Sequence, residues 1–563
     1  MRKFFVLALS SLLYIFIFSS CAVKQSYTLS EDGLQKFIAD YESRVEPLTT
    51  RRSQAEWNAY TTGRDEYFAE LTRMSLLIDS LHQNQEHFQY LQKLQQQDVV
   101  KTPLLKRQLD LLYKEYLSRQ IDPLLNKQET ELSTKLENTY ANYRTEWENG
   151  TAYSDNQVAQ VLKSEKDSAV REKIWRAQKK LGGLVVQDLI DVAGLRNSIA
   201  QELGYKNYFY MKMDLTEMDA DLVEKIFNEL YTLSEEPYRQ VHDQIEEVFS
   251  KRYGIKREQL RPWHYEDLFA QEAPAIYQIN LDKYYSKADI PALAQKYFGS
   301  LNMPVEDILM RSDLFERAGK NQHAFSFNID RKQDIRILCN IVPDMRWMET
   351  VLHELGHANY DKYIDQTLPF LLREPAHSFT TEGIANLFGG FASNASWMMQ
   401  ALNISSAEVE KIRKTTQASA RLSKLIFARW SMVVFNFEKS FYADPGQNLD
   451  SLWWNLVEKY QLVRRPENPQ GNEWATKIHI ATYPVYYHNY QLGEIFAAQV
   501  LNQLKEKYGV QDFWNQPEVG TYLKTQVFAP GKKLPWPEFV KQATGEPLTA
   551  KYFVQRYVEN TGE

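Results

Sequence analysis

The sequence predicts a mainly α-helical protein, a large two-lobed body with a deep central cleft and one small β-hairpin. Three observations carry that prediction. From about Glu31 to Trp147 the chain is rich in Gln, Glu, Lys and Leu, with apolar residues every three or four positions, the period of helices that bury one face. The same period returns over Gln157–Leu215, and no solenoid repeat or Gly/Ser linker splits the chain. Only His323–Val342 reads as strand: His323–Ile329 alternates imperfectly, Asp330–Gln333 is turn-like, and Ile335–Val342 is β-rich.

Taken in order, the elements begin with an export signal. Arg2 and Lys3 precede an apolar run from Phe4 to Phe18, then Ser19, Ser20 and Cys21. The run is short for a bilayer span, which needs about 20 apolar residues. A Cys directly after two small residues resembles a bacterial lipoprotein processing site. Residues 1–20 are then the signal, 21–30 a tether starting at acylated Cys21, and the protein is lipid-anchored in the cell envelope. An uncleaved signal anchor and simple secretion are the alternatives. With Cys21 acylated, the remaining Cys339 has no disulfide partner and is expected as a small buried hydrophobe.

Residues 31–563 are expected to form one helical domain, with 31–147 a lid-like layer over the rest. Pro103 and Pro123 punctuate that layer, and Gly204-Tyr205 marks a break before a further aromatic helix. The composition, 44% apolar and 25% charged, is that of a globular protein. Its 34 Tyr, 28 Phe and 12 Trp suit a large core and a groove that grips side chains. A formal net charge of −7 provides no basic footprint, which excludes nucleic acid as a partner.

The chemistry is concentrated at His353-Glu354-Leu355-Gly356-His357, an H-E-x-x-H run inside a predicted helix that starts at Pro343-Asp344. On a helix, positions i and i+4 share a face, so both imidazoles can reach one tetrahedral zinc ion. Glu354 then lies beside the metal without binding it, placed to take a proton from water. A third ligand should come from a nearby helix. Glu382, in the first turn of a predicted helix after Ser378, is the best candidate; Glu374 and His377, on the loop before it, are the alternatives. Asn386, one turn after Glu382, can support a ligand from behind.

The motifs resemble the angiotensin-converting-enzyme family of gluzincin zinc peptidases. His323-Ala324, Asp334-Ile-Arg336-Ile and the zinc motif follow one another at that family's spacing. Glu382 falls one residue later than its third ligand. Leu268-Phe-Ala-Gln271, Lys477-Ile-His479-Ile and Tyr487-His-Asn-Tyr490 resemble further family motifs. The likeness runs over roughly Arg171–Val500. It implies a zinc enzyme acting on oligopeptides, with Glu354 the base and Tyr490 and His479 donors to the oxyanion. His323 would line the groove, and backbone groups near Ala324 and Ser326 would pair with extended substrate. Lys477, Gln271 and Tyr487 would hold the substrate's C-terminal carboxylate, so that C-terminal dipeptides are released.

The chain departs from the family at two positions. Asn489 stands where the family often carries an arginine implicated in chloride binding, so no chloride activation is expected. Asn386 stands where the family has a carboxylate, and its amide orients a ligand histidine less strongly than a carboxylate does. Taken singly, Lys477 reads as a surface lysine, Gln271 as a helix glutamine, and the tyrosines as a core stripe. His264 and His488 are read as structural. Two other functions remain open at this stage: an oligoendopeptidase of a related helical family, and an inactive zinc- or peptide-binding lipoprotein, against which the retained Glu354 argues.

Overall fold

The computed structural model describes residues 27–559 apart from 148–149, 278 and 511–512. Cys21 and the signal lie outside the described residues. The architecture is mainly helical, with two small antiparallel hairpins as the only sheets among the described residues. The first, Thr145–Glu146 with Ala152–Tyr153, is a minor feature; the second lies at the site.

Of residues 31–147, helices Glu31–Thr62, Asp65–His82, Gln85–Gln97 and Pro103–Leu117 form the N-terminal layer, while Pro123–Asn142 buries Leu136 and Tyr140 in the main core instead. Local chemistry sets their ends. Ser30 caps the first by accepting from the Gly33 amide, Gly63 ends it in the left-handed region, and Pro103 opens the last at a position where a missing N–H costs nothing. These helices bury a small core of their own, with Leu34, Phe37, Tyr41, Leu91, Leu94, Leu112 and Tyr116. Phe370 and Leu371, from a loop of the main body, complete it. The polar composition noted above follows from this thin, two-sided position.

The main core is continuous through the rest of the chain and includes the fully buried Trp175, Trp397, Trp430 and Trp474. Cys339 is buried within it, as the sequence predicts. The predicted hairpin forms with shorter strands, Phe325–Asn328 against Ile335–Leu338, in the register Phe325↔Leu338 to Asn328↔Ile335. Asp330 closes its turn by accepting the amides of Lys332 and Asp334.

Three helices meet at the site: the motif helix Met345–Lys362, the glutamate helix Ser378–Gly390 and the tyrosine helix His488–Tyr508. They approach backbone to backbone because glycines stand at their crossings. A Cβ on Gly356 would lie 2.8 Å from the Ala385 Cα, and one on Gly383 would lie 2.5 Å from the Gly493 carbonyl oxygen. Gly383→Val is therefore expected to destabilise the protein by about 1–3 kcal/mol through overpacking. Gly183→Ala, on an open helix surface with nothing near its Cβ, should instead hold or raise stability. Thermal denaturation of both variants checks this; an unchanged Tm for Gly383→Val would contradict the tight crossing.

Candidate metal centre and substrate cleft

The motif helix starts where the sequence places it, capped by Asp344, whose carboxylate accepts the Trp347 amide at 2.7 Å. Its pitch brings His353 and His357 to one face with their Nε2 atoms 3.2 Å apart. Glu382 approaches from the glutamate helix, 4.0 Å from each Nε2. That helix begins at Ser378, as the sequence suggests, so Glu382 is its fifth residue and stands just past the first turn. Two nitrogens bound at 2.0–2.1 Å to one tetrahedral ion stand roughly 3.3 Å apart. The donor set, two imidazoles and one carboxylate whose ligand atoms converge, fits such an ion.

The imidazoles are also prepared electrostatically. Burial lowers His353 to about 4 and His357 to about 3, leaving both rings neutral and able to donate a lone pair. Behind them, His357 Nδ1 lies 2.7 Å from the Thr381 hydroxyl, and the Asn386 side chain hydrogen-bonds His353. Asn386 thus stands where the sequence reading puts it, and Thr381 is an addition that motif spacing did not reveal. Glu354 is 7% exposed and lies beside the three. Burial, and then the neighbouring Glu382, raise its carboxyl to about 8; a dication at the site would oppose both effects.

The alternative ligands are engaged elsewhere. His377 is the N-cap of the glutamate helix: its Nδ1 accepts the Phe379 amide, and its Nε2 donates to the Thr216 carbonyl at 2.7 Å. Glu374 is clamped between Arg331 and Lys532, which hold its carboxyl down to about 2 against the effect of burial.

A cavity of about 1010 Å³ opens beside the centre. His353, Glu354, His357 and Glu382 line one wall, together with Ala324 and Ser326 of the hairpin. The N-terminal layer supplies another wall through Tyr41, Arg52 and His82. The strand Phe325–Asn328 has a strand partner on one side only among the described residues, and the Ser326 hydroxyl is buried without a hydrogen-bond partner. His323 is exposed at the end of this strand.

Lys477, Gln271 and Tyr487, far apart in the chain, meet in a second cluster. Lys477 Nζ donates to Gln271 Oε1 at 2.7 Å and stands 5.3 Å from the Tyr487 ring centre. Lys477 is 6% exposed, so the surface reading of this lysine does not hold, and burial lowers its ammonium to about 8. Gln271 is not on a helix. It lies in a loop knotted around buried Asp267, which accepts the amides of Phe269, Gln271 and Glu272. Asp267 is also the main anionic neighbour of Lys477. A second buried lysine, Lys179, places its Nζ 3.5 Å from the centre of the Phe269 ring, which Lys477 approaches at 5.3 Å. Neither Asp267 nor Lys179 lies in a motif, so spacing could not find them.

His479 lies 5.2 Å, ring to ring, from Tyr487, and Tyr490 lies 5.4 Å from it. Tyr490 is close enough to Glu382 for that carboxylate to raise its phenol, second to burial. These side chains connect the lysine cluster to the His-His-Glu centre. Asn489 is buried and uncharged, donating to the Tyr486 carbonyl. His264 and His488 are buried in the core, as the structural reading expects.

A helical body, an H-E-x-x-H helix crossed by a glutamate helix and a buried carboxylate at the crossing form a site of the metallopeptidase type. The family model described as angiotensin-converting enzyme, peptidase M2, matches residues 28–560, and the chain belongs to that family. Identity to individual relatives is low. Angiotensin-converting enzyme of Mesocricetus auratus is 22% identical over 573 residues, covering 92% of this chain and 42% of the relative. That of Rattus norvegicus is 21% identical over 580 residues with the same coverage. That of Theromyzon tessulatum is 21% identical over 441 residues, covering 72% of this chain and 70% of the relative. The chain therefore spans less than half the length of the mammalian relatives.

Proposed function

We propose that this chain is a zinc-dependent peptidyl-dipeptidase that releases C-terminal dipeptides from oligopeptides. The observation that carries the finer part of this reading is the buried Lys477–Gln271–Tyr487 cluster, a cation with polar neighbours suited to a free carboxylate. His353, His357 and Glu382 would hold the zinc. When bound, the ion would polarise the scissile carbonyl and make water acidic enough to react.

The chain's own groups do the rest. Glu354 takes the proton of the attacking water on its carboxylate and delivers it to the leaving nitrogen. Tyr490 and His479 donate hydrogen bonds to the developing oxyanion. Ala324 and Ser326 offer backbone groups along the cleft wall to an extended substrate, with His323 at the mouth. Lys477 anchors the terminal carboxylate, which sets the distance from chain end to cleaved bond. An oligoendopeptidase lacks the need for such an anchor, and a binding protein lacks the need for Glu354.

The purified protein should contain about one zinc per chain, and chelation should abolish peptidase activity. Full activity after metal stripping would end this reading. Export and lipid anchoring rest on Cys21 and the residues before it; no helix among the described residues is long and apolar enough to cross a membrane. Cys21→Ser should move the protein from the membrane fraction to the soluble fraction, and unchanged membrane retention would argue for an uncleaved anchor.

A further inference from the structure

A charged group stands one helical turn from the metal centre and has no part in the steps above. Glu349 precedes His353 by four residues on the motif helix and so shares its face. Its side chain is open to solvent at the rim of the motif helix. Glu494 follows Tyr490 by one turn on the tyrosine helix, and its charge is felt at both His353 and Glu382. Lys424 enters from a third helix, Ser406–Ala443, and pairs with Glu494 at 2.6 Å. The Glu349 carboxylate is close enough to interact with both charges. It has no ion-pair or hydrogen-bond partner of its own among the described residues. Two carboxylates thus face one ammonium, and burial raises the Glu349 carboxyl, an effect that a cationic partner would oppose.

The helix that carries Lys424 shows which half of the cleft this is. Phe427, one turn on, contacts the rings of Tyr487 and Tyr490 at 6.1 and 6.4 Å. Trp430, a further turn on, lies 5.2 Å from Lys477 Nζ. Six residues of helix span roughly 9 Å, so the charged group lies within a side chain's reach of the carboxylate seat. None of the three residues lines the large cavity, and Phe427 joins the helix of Lys424 to Tyr487 and Tyr490.

We propose that Glu349, Lys424 and Glu494 form a subsite for a basic side chain, lysine or arginine, on the substrate residues downstream of the scissile bond. The proposal rests on the reading of Lys477 as the seat of the terminal carboxylate. A substrate cation would pair with Glu349 and bring the group to two charges of each sign; an acidic side chain would meet two carboxylates. Lys424 already neutralises Glu494, so Glu349 makes the selection and Lys424 sets its strength.

The test uses the zinc-loaded full chain and N-blocked peptides that differ only in their last two residues, with Lys, Leu or Glu at each. Both kcat/KM and product masses are measured. Lys at one of these positions should exceed Leu by about tenfold, the range of one charge-assisted bond, and Glu should be poorest. Glu349→Gln should cut the Lys-over-Leu ratio about fivefold, and Lys424→Met should raise it. Opposite signs in two variants of equal zinc content separate recognition from damage to the fold. A wild-type ratio near one at both positions, or a ratio that neither variant moves, would overturn the subsite. Failure of the dipeptidase reading shows differently, as product masses other than the C-terminal dipeptide. In that event the residues following the cleaved bonds decide: enrichment in Lys and Arg upholds the subsite, and no enrichment overturns it.

Discussion

Glu354→Gln is expected to keep its zinc and to lose a factor of roughly 10²–10⁴ or more in kcat, the range for removing a positioned general base. The amide has the carboxylate's shape and fits the same buried position, so His353, His357 and Glu382 keep their places. Only the ability to accept a proton disappears. Glu382→Ala should fail in the opposite way, losing the metal itself, because two imidazoles remain where three ligands converged. Metal analysis beside single-turnover kinetics separates the two. Loss of zinc from Glu374→Ala, with zinc retained in Glu382→Ala, would show the ligand to be misassigned; the clamp of Arg331 and Lys532 on Glu374 argues against that outcome.

The second large effect concerns the end of the substrate. A peptide with a free C-terminus should be cleaved about ten- to a hundredfold more efficiently than its amidated twin, since charge-assisted hydrogen bonds contribute roughly 1.5–3 kcal/mol each. In Lys477→Ala that gap should close, because the cation that recognises the charge is gone. It should also narrow with pH in the wild type. Burial lowers the Lys477 ammonium to about 8, so the anchor is charged below that pH and loses its proton as pH rises through it. Equal cleavage of both peptides at one internal bond would remove the dipeptidase assignment and leave a zinc endopeptidase.

Much of the fold and of the metal centre is legible in the sequence, for a reason visible in the residues concerned. His353, Glu354 and His357 lie on one helix, and 3.6 residues per turn is enough to put two imidazoles on one face. The hairpin before them announces itself through β-rich runs and a turn around Asp330. Pro103, Pro123 and Asp344 mark helix starts through their own side chains. The third ligand is harder, because the start of its helix is set by His377, an unusual cap that reads as loop.

Positions decided by contacts between distant parts of the chain are not legible in this way. Lys477 and Gln271 lie 206 residues apart, and family resemblance alone joined them. Asp267, which knots the Gln271 loop, and Lys179, which shares Phe269 with Lys477, belong to no motif. Glu349, Lys424 and Glu494 come from three helices.

By itself the sequence determined the helical class and the placing of His353, Glu354 and His357 together on one helix. Helical period, capping chemistry and charge are properties of neighbouring residues, and these are written locally. Only the tertiary structure decided which carboxylate converges with the two imidazoles, which lysines are buried, and which charges gather near them. Each depends on three helices crossing at Gly356, Gly383 and Gly493, where the absence of side chains lets backbones meet and fixes what the remaining side chains can reach.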